Sequence, residues 1–89
     1  MDGAALIEIV CSYSWDCGEA PAVVWCESRF DPSAISPDGS NIGLWQINVI
    51  HGARVEYDYR RLLDPHTNTA IAWQLYVERG WQPWACRPG

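Results

Sequence analysis

The sequence predicts a small, mainly α domain of three to four helices with a short extended, turn-rich segment and two disulfides. Apolar residues recur at helical spacing in three separate stretches. Pro37, Gly39 and small polar residues crowd the segment after the second stretch. Four cysteines stand in 89 residues, none of them in a Cys-x-x-Cys pair. A chain of this length makes one domain, residues 1–89, with a core too small to stabilise it strongly alone.

The first helix is expected over residues 3–13. Asp2 is its N-cap, and Ala5, Leu6, Ile9, Val10 and Tyr13 share one face. Ser14 to Gly18 form a turn. The second helix runs from about Glu19 to Arg29, with Pro21 tolerated in the first turn. Asp31-Pro32 stops it, because the residue before proline is pushed out of the helical region. Ala20, Val23, Val24 and Glu27 fall at i, i+3, i+4 and i+7, which places Glu27 on the stripe facing the core. From Ile42 to Val49 the chain reads as extended, with Leu44, Gln46 and Asn48 opposite Trp45, Ile47 and Val49. Residues 51–63 read as an irregular loop and a short helix. The last helix is framed by Asp64 as N-cap, Pro65 as first residue and Gly80 as stop. Its inner face carries Asn68, Ile71, Ala72, Leu75 and Tyr76. Trp15, Trp25, Trp81 and Trp84 are expected in the core, whereas Trp45 and Trp73 suit either the core or a stacking face for a sugar ring.

Four cysteines allow three pairings. The preferred one joins Cys26 to Cys86 and Cys11 to Cys17. The longer bridge would restrict the unfolded chain by roughly 4 kcal/mol. Disulfides imply an oxidising compartment. With His51 and His66 as the only histidines, a zinc site is a poor reading, and neither metal nor cofactor is expected. Six basic residues, all arginine, stand against eleven acidic ones, for a net charge of −5. Such a balance, without a basic cluster, argues against nucleic acid as partner. It also argues against tight adsorption to an anionic wall. No apolar run is long enough to span a membrane. The N-terminus lacks the basic start and long apolar centre of a signal peptide. The reading is a secreted, monomeric protein whose signal has been removed.

Glu27 is the candidate for chemistry. It lies in Trp25-Cys26-Glu27-Ser28-Arg29-Phe30, followed by Gly43-Leu44-Trp45-Gln46-Ile47. A carboxyl group among aromatic side chains resists ionisation, and a protonated one can protonate a glycosidic oxygen.

The ordered set Glu27-Ser28, Ser36-Pro37, Gly43 to Ile47, and Asp64-Pro65 through Asn68 resembles the SLT-type lytic transglycosylases of the lysozyme-like superfamily. The short secreted form found in actinobacteria is the nearest in appearance, through its Cys-Glu-Ser run and its tail, here Gly80-Trp81-Gln82-Pro83-Trp84-Ala85-Cys86. The likeness spans roughly residues 13–88. It implies a lysozyme-like fold, a peptidoglycan strand as partner, and Glu27 as general acid and then base. It also implies attack by the muramoyl 6-hydroxyl to leave a 1,6-anhydro end. Ser36, Gln46 and Asn48 would line the groove, joined by Trp45 and Tyr76. Ser28 and Asn68 would brace the site. Two positions depart from the family pattern. Trp45 replaces a methionine, and Leu75 stands where a tyrosine is usual, leaving Tyr76 one position and about 100° away.

Other chemistries compete. A hydrolase needs a second carboxylate, for which Asp31, Asp38 and Asp64 are available. Asp38 is the choice for an inverting lysozyme-type enzyme. A wall-binding module without activity and a thiol peptidase using Cys26 and His51 are further readings. An antimicrobial or inhibitor-like disulfide protein fits the acidic charge less well.

Overall fold

The computed structural model describes residues 2–88. Helix α1 spans Gly3–Val10, with the Asp2 carboxylate accepting from the Ala5 N–H at 2.9 Å. It is shorter than its periodicity suggests, because the Cys11–Cys17 disulfide closes a tight loop directly after it. Leu6 and Val10 are buried, and Tyr13 still packs on the core from the loop.

Helix α2 spans Glu19–Ser28. Its first amides are held by Asp16, whose Oδ1 accepts from the N–H groups of Gly18 and Glu19. Ala20, Val23 and Val24 are buried on the expected stripe. Trp25 is not in the core: it is 55% exposed. At 100° per residue it lies well off that stripe, and the Arg29 guanidinium stands 5.1 Å from its ring centre. The helix ends earlier than Asp31-Pro32, since Arg29 and Phe30 both take left-handed backbone angles (φ 57° and 59°). Two such residues in succession are costly outside glycine. They reverse the chain sharply after Ser28.

Strands β1 (Asn41–Ile42) and β2 (Ile47–Asn48) pair antiparallel, Asn41 opposite Asn48 and Ile42 opposite Ile47. The alternation expected from Ile42 to Val49 is broken by the turn between them. Leu44 and Trp45 are consecutive, yet both are 0% exposed. A strand would send them to opposite faces, whereas this turn is enclosed in protein. Asn68 secures it: its Oδ1 accepts from the Trp45 N–H at 2.7 Å, and its Nδ2 donates to the Ile42 and Leu62 carbonyls at 2.9 Å each. Gly43 has φ 80°, and a Cβ there would strike the Leu62 carbonyl and the Asn68 amide. Glycine is therefore required on both counts.

Two 3-10 helices follow, Val49–Val55 and Tyr59–Leu63, where an irregular loop and one short helix were expected. Helix α3 spans Pro65–Arg79 with the predicted punctuation. Asp64 accepts from the His66 N–H, and the Gly80 N–H donates to the Tyr76 carbonyl. Asn68, Thr69, Ile71, Ala72 and Leu75 are buried. Trp15, Trp45 and Trp84 occupy the centre of the core, with ring centres 4.6 Å apart for Trp15–Trp45 and 5.4 Å for Trp45–Trp84. Trp81 packs on this group half-buried. The second disulfide joins Cys26 on α2 to Cys86 in the tail.

Candidate active site

The last turn of α2 carries Glu27 between two fixed neighbours. On one side the buried Ser28 hydroxyl reaches the Leu44 carbonyl at 2.7 Å and the Val24 carbonyl at 3.3 Å, tying the helix end to the β1–β2 turn. On the other side, the tail is bonded to Cys26, and the Cys86 N–H donates to Glu27 Oε2 at 3.1 Å. Glu27 is half-buried, and no donor among the described residues reaches its Oε1. The side chain thus has one oxygen anchored and one available.

A cavity of about 260 Å³ opens between the β-ribbon, the first 3-10 helix, the C-terminal end of α3 and the tail. Asn41, Gln46, Asn48, His51, Arg79, Gln82 and Trp84 are among its walls. Glu27 is not one of them. Its link to the wall runs along the tail, where Cys86, the donor to its Oε2, follows the lining Trp84 by two residues.

The residues singled out for substrate contact divide sharply. Gln46 and Asn48 line the cavity. The Gln46 Nε2 donates to the Ala34 and Gly43 carbonyls, and no donor among the described residues reaches its Oε1. Asn48 receives the Ile50 N–H on its Oδ1 and donates to Asn41 through Nδ2. Trp45 has no exposed surface, and its indole N–H is spent on the Thr69 hydroxyl. It is a core residue and offers no face to a sugar. Ser36 is absent from the cavity wall, its hydroxyl donating to Asp38 and accepting the Asn41 N–H. Tyr76 is also off the wall and packs half-buried among Trp15, Trp73 and Trp81. The one-residue offset on α3 turns it toward that cluster. Ser28 and Asn68 are both buried and bonded to backbone groups of the β1–β2 turn.

The competing carboxylates are all engaged in local structure. Asp38 Oδ1 accepts from both Ser40 groups and the Ser36 hydroxyl, which together hold its carboxyl down at about 2. A group so acidic is a weak base near neutral pH. The Ser33 hydroxyl and N–H likewise lower Asp31, and Asp64 caps α3. Cys26 is disulfide-bonded, so the thiol-peptidase reading lacks its nucleophile.

Sequence reasoning gave Arg79 and Gln82 no role, and considered His51 only as a metal ligand or as the partner of Cys26 in a thiol peptidase. Burial lowers the His51 pKa, helped by the Arg54 and Arg79 charges and opposed by Glu78, which favours the neutral ring. The signal that was available for Arg79 is its spacing: it follows the buried Leu75 by four residues, on the same helix face. Gln82 lies within the tail that carries the resemblance.

A mainly helical, disulfide-braced domain with a half-buried carboxyl group on α2 and a cavity lined by amide side chains is suited to glycan chemistry. The family model of the transglycosylase SLT domain matches residues 5–79, and the chain belongs to this family. No curated protein matches the chain. No solved structure matches it either. Members of the family are lytic transglycosylases, a lysozyme-like glycosidase activity directed at peptidoglycan. Among the described residues, no helix is long and apolar enough to cross a membrane.

Proposed function

We propose that the chain cleaves the β-1,4 bond between N-acetylmuramic acid and N-acetylglucosamine in peptidoglycan, with Glu27 as the single acid and base. The carrying observation is the state of its two oxygens: Cys86 N–H occupies Oε2, which leaves Oε1 as the one to hold the proton. In the first half of the reaction, Oε1–H gives its proton to the glycosidic oxygen as the bond from muramoyl C1 breaks. The sugar develops oxocarbenium character. The muramoyl 6-hydroxyl then attacks C1, and its proton returns to the Glu27 carboxylate. One glycosidic bond is lost and one internal C1–O6 bond forms, without a net change in water.

Asp38 gives the inverting alternative little support. Its low basicity and three local hydrogen bonds suit a turn better than a water-activating base. Gln46 Oε1 and the Asn48 amide are the groups we assign to the acetamido and hydroxyl functions of the strand. An amide-lined wall fits a hydroxyl-rich polymer better than a nucleic acid. The chain acts as one SLT unit over residues 1–89, as a monomer, outside the cytoplasm where its disulfides form.

Product masses test the reaction. After incubation with purified peptidoglycan, muropeptides lighter by one water, with no reducing end, are the expected products. Reducing-end products would instead establish a hydrolase, and intact glycan alongside tight wall binding would establish a binding module.

A further inference from the structure

Of the chain's six arginines, five have a partner: Arg29 with the Trp25 carbonyl, Arg54 with Gln74 and Glu78, Arg60 with Asp58, Arg61 with Glu56, and Arg87 with the Trp84 carbonyl. Arg79 has none among the described residues, and it lines the cavity. The acidic residue beside it in sequence, Glu78, is already gripped through both oxygens by Arg54, at 3.0 and 2.9 Å. The lining includes no aspartate or glutamate. Among the described residues Arg79 is thus the one arginine whose guanidinium has neither a hydrogen bond nor an ion pair, and it stands on the wall of this cavity.

We infer that Arg79 is a specificity-determining residue that binds a carboxylate carried by the muramoyl unit. This rests on the function proposed above. The guanidinium matches a carboxylate with two parallel N–H donors, and amide side chains such as Gln82 and Asn48 stand on the same wall. N-acetylglucosamine offers no anionic group, so an arginine with free N–H donors on the wall would separate a muramoyl strand from a chitin-like one. The carboxylate has two sources, the lactyl group when no peptide is attached and the stem peptide when one is. The alternative use of Arg79 is to complement the C-terminal end of α3, which is a stability role and not a binding one.

The test measures binding of glycan fragments to Glu27→Gln protein by calorimetry, with Arg79 intact or changed to Gln or Lys. The fragments are a muramoyl oligosaccharide with free lactyl carboxylate, its methyl ester, and the same glycan bearing a stem peptide with free or esterified carboxylates. Arg79→Gln should weaken a carboxylate-bearing fragment about tenfold and leave the esters unchanged. Arg79→Lys should recover part of the loss. Dependence on the lactyl acid identifies that group as the ligand, and dependence only on the peptide acid identifies the peptide. Equal binding of acids and esters to protein with Arg79 intact overturns the inference, as does an equal effect of Arg79→Gln on both. Cleavage by the Arg79-intact, Glu27-intact protein is followed in parallel. If it proceeds normally, the proposed function survives that failure. If no fragment binds and none is cut, both readings fall together.

Discussion

Removing the Cys26–Cys86 bridge should cost the fold far more than removing Cys11–Cys17. The two bridges span sequence separations of 60 and 6 residues. Loop closure in the unfolded chain grows as the logarithm of that length, giving about 4 kcal/mol for the long bridge and about 2 kcal/mol for the short one. The tenfold ratio of separations alone accounts for the difference of about 2 kcal/mol. Paired Cys→Ser variants, Cys26→Ser with Cys86→Ser and Cys11→Ser with Cys17→Ser, can be compared by urea unfolding followed through tryptophan fluorescence. With a urea slope of about 1 kcal/mol/M for a chain this small, the midpoints should fall by about 4 M and 2 M. A long-bridge variant already unfolded without urea agrees with the same reasoning. Equal losses, or a larger loss from Cys11–Cys17, would refute it. The long bridge also holds the Cys86 N–H against Glu27, so its removal should depress cleavage even where the variant remains folded.

Three more outcomes follow from the same geometry. Gly43→Ala should destabilise the protein by at least about 2 kcal/mol, measured by denaturation, because φ 80° disfavours alanine and the new Cβ meets Leu62 and Asn68. Asn68→Ala should cost about 3 kcal/mol in the same assay, since it strands the Trp45 N–H and the Ile42 and Leu62 carbonyls in the interior. Asp38 has a depressed carboxyl, so its stabilising contribution is present above the ordinary aspartate range and is lost as pH falls toward about 2. Asp38→Asn should therefore flatten the acid-unfolding profile in that window, and an unchanged profile would contradict the role assigned to its hydrogen bonds.

Where local chemistry decides structure, the sequence was readable. Asp64, Pro65 and Gly80 mark both ends of α3, and Asp2 marks the start of α1. The stripe of Ala20, Val23 and Val24 orients α2 correctly, which puts Glu27 half-buried at its end. The missed features are long-range. Trp25 looks like core material by size, but its angle on α2 sends it outward. Trp45 occupies a position that the resemblance assigns to the site, yet the enclosing α3, anchored through Asn68, draws it into the interior. Arg79 and His51 come together only because the first 3-10 helix folds back against the C-terminal end of α3. No spacing rule spans that contact.

The most direct measurement compares wild-type protein with Glu27→Gln on purified peptidoglycan, scoring both released muropeptides and sedimentation with the wall. General acid–base catalysis is worth at least about a hundredfold. Glu27→Gln should lower release by that factor or more while still sedimenting with the wall. Release at the wild-type rate would show that the proton comes from elsewhere.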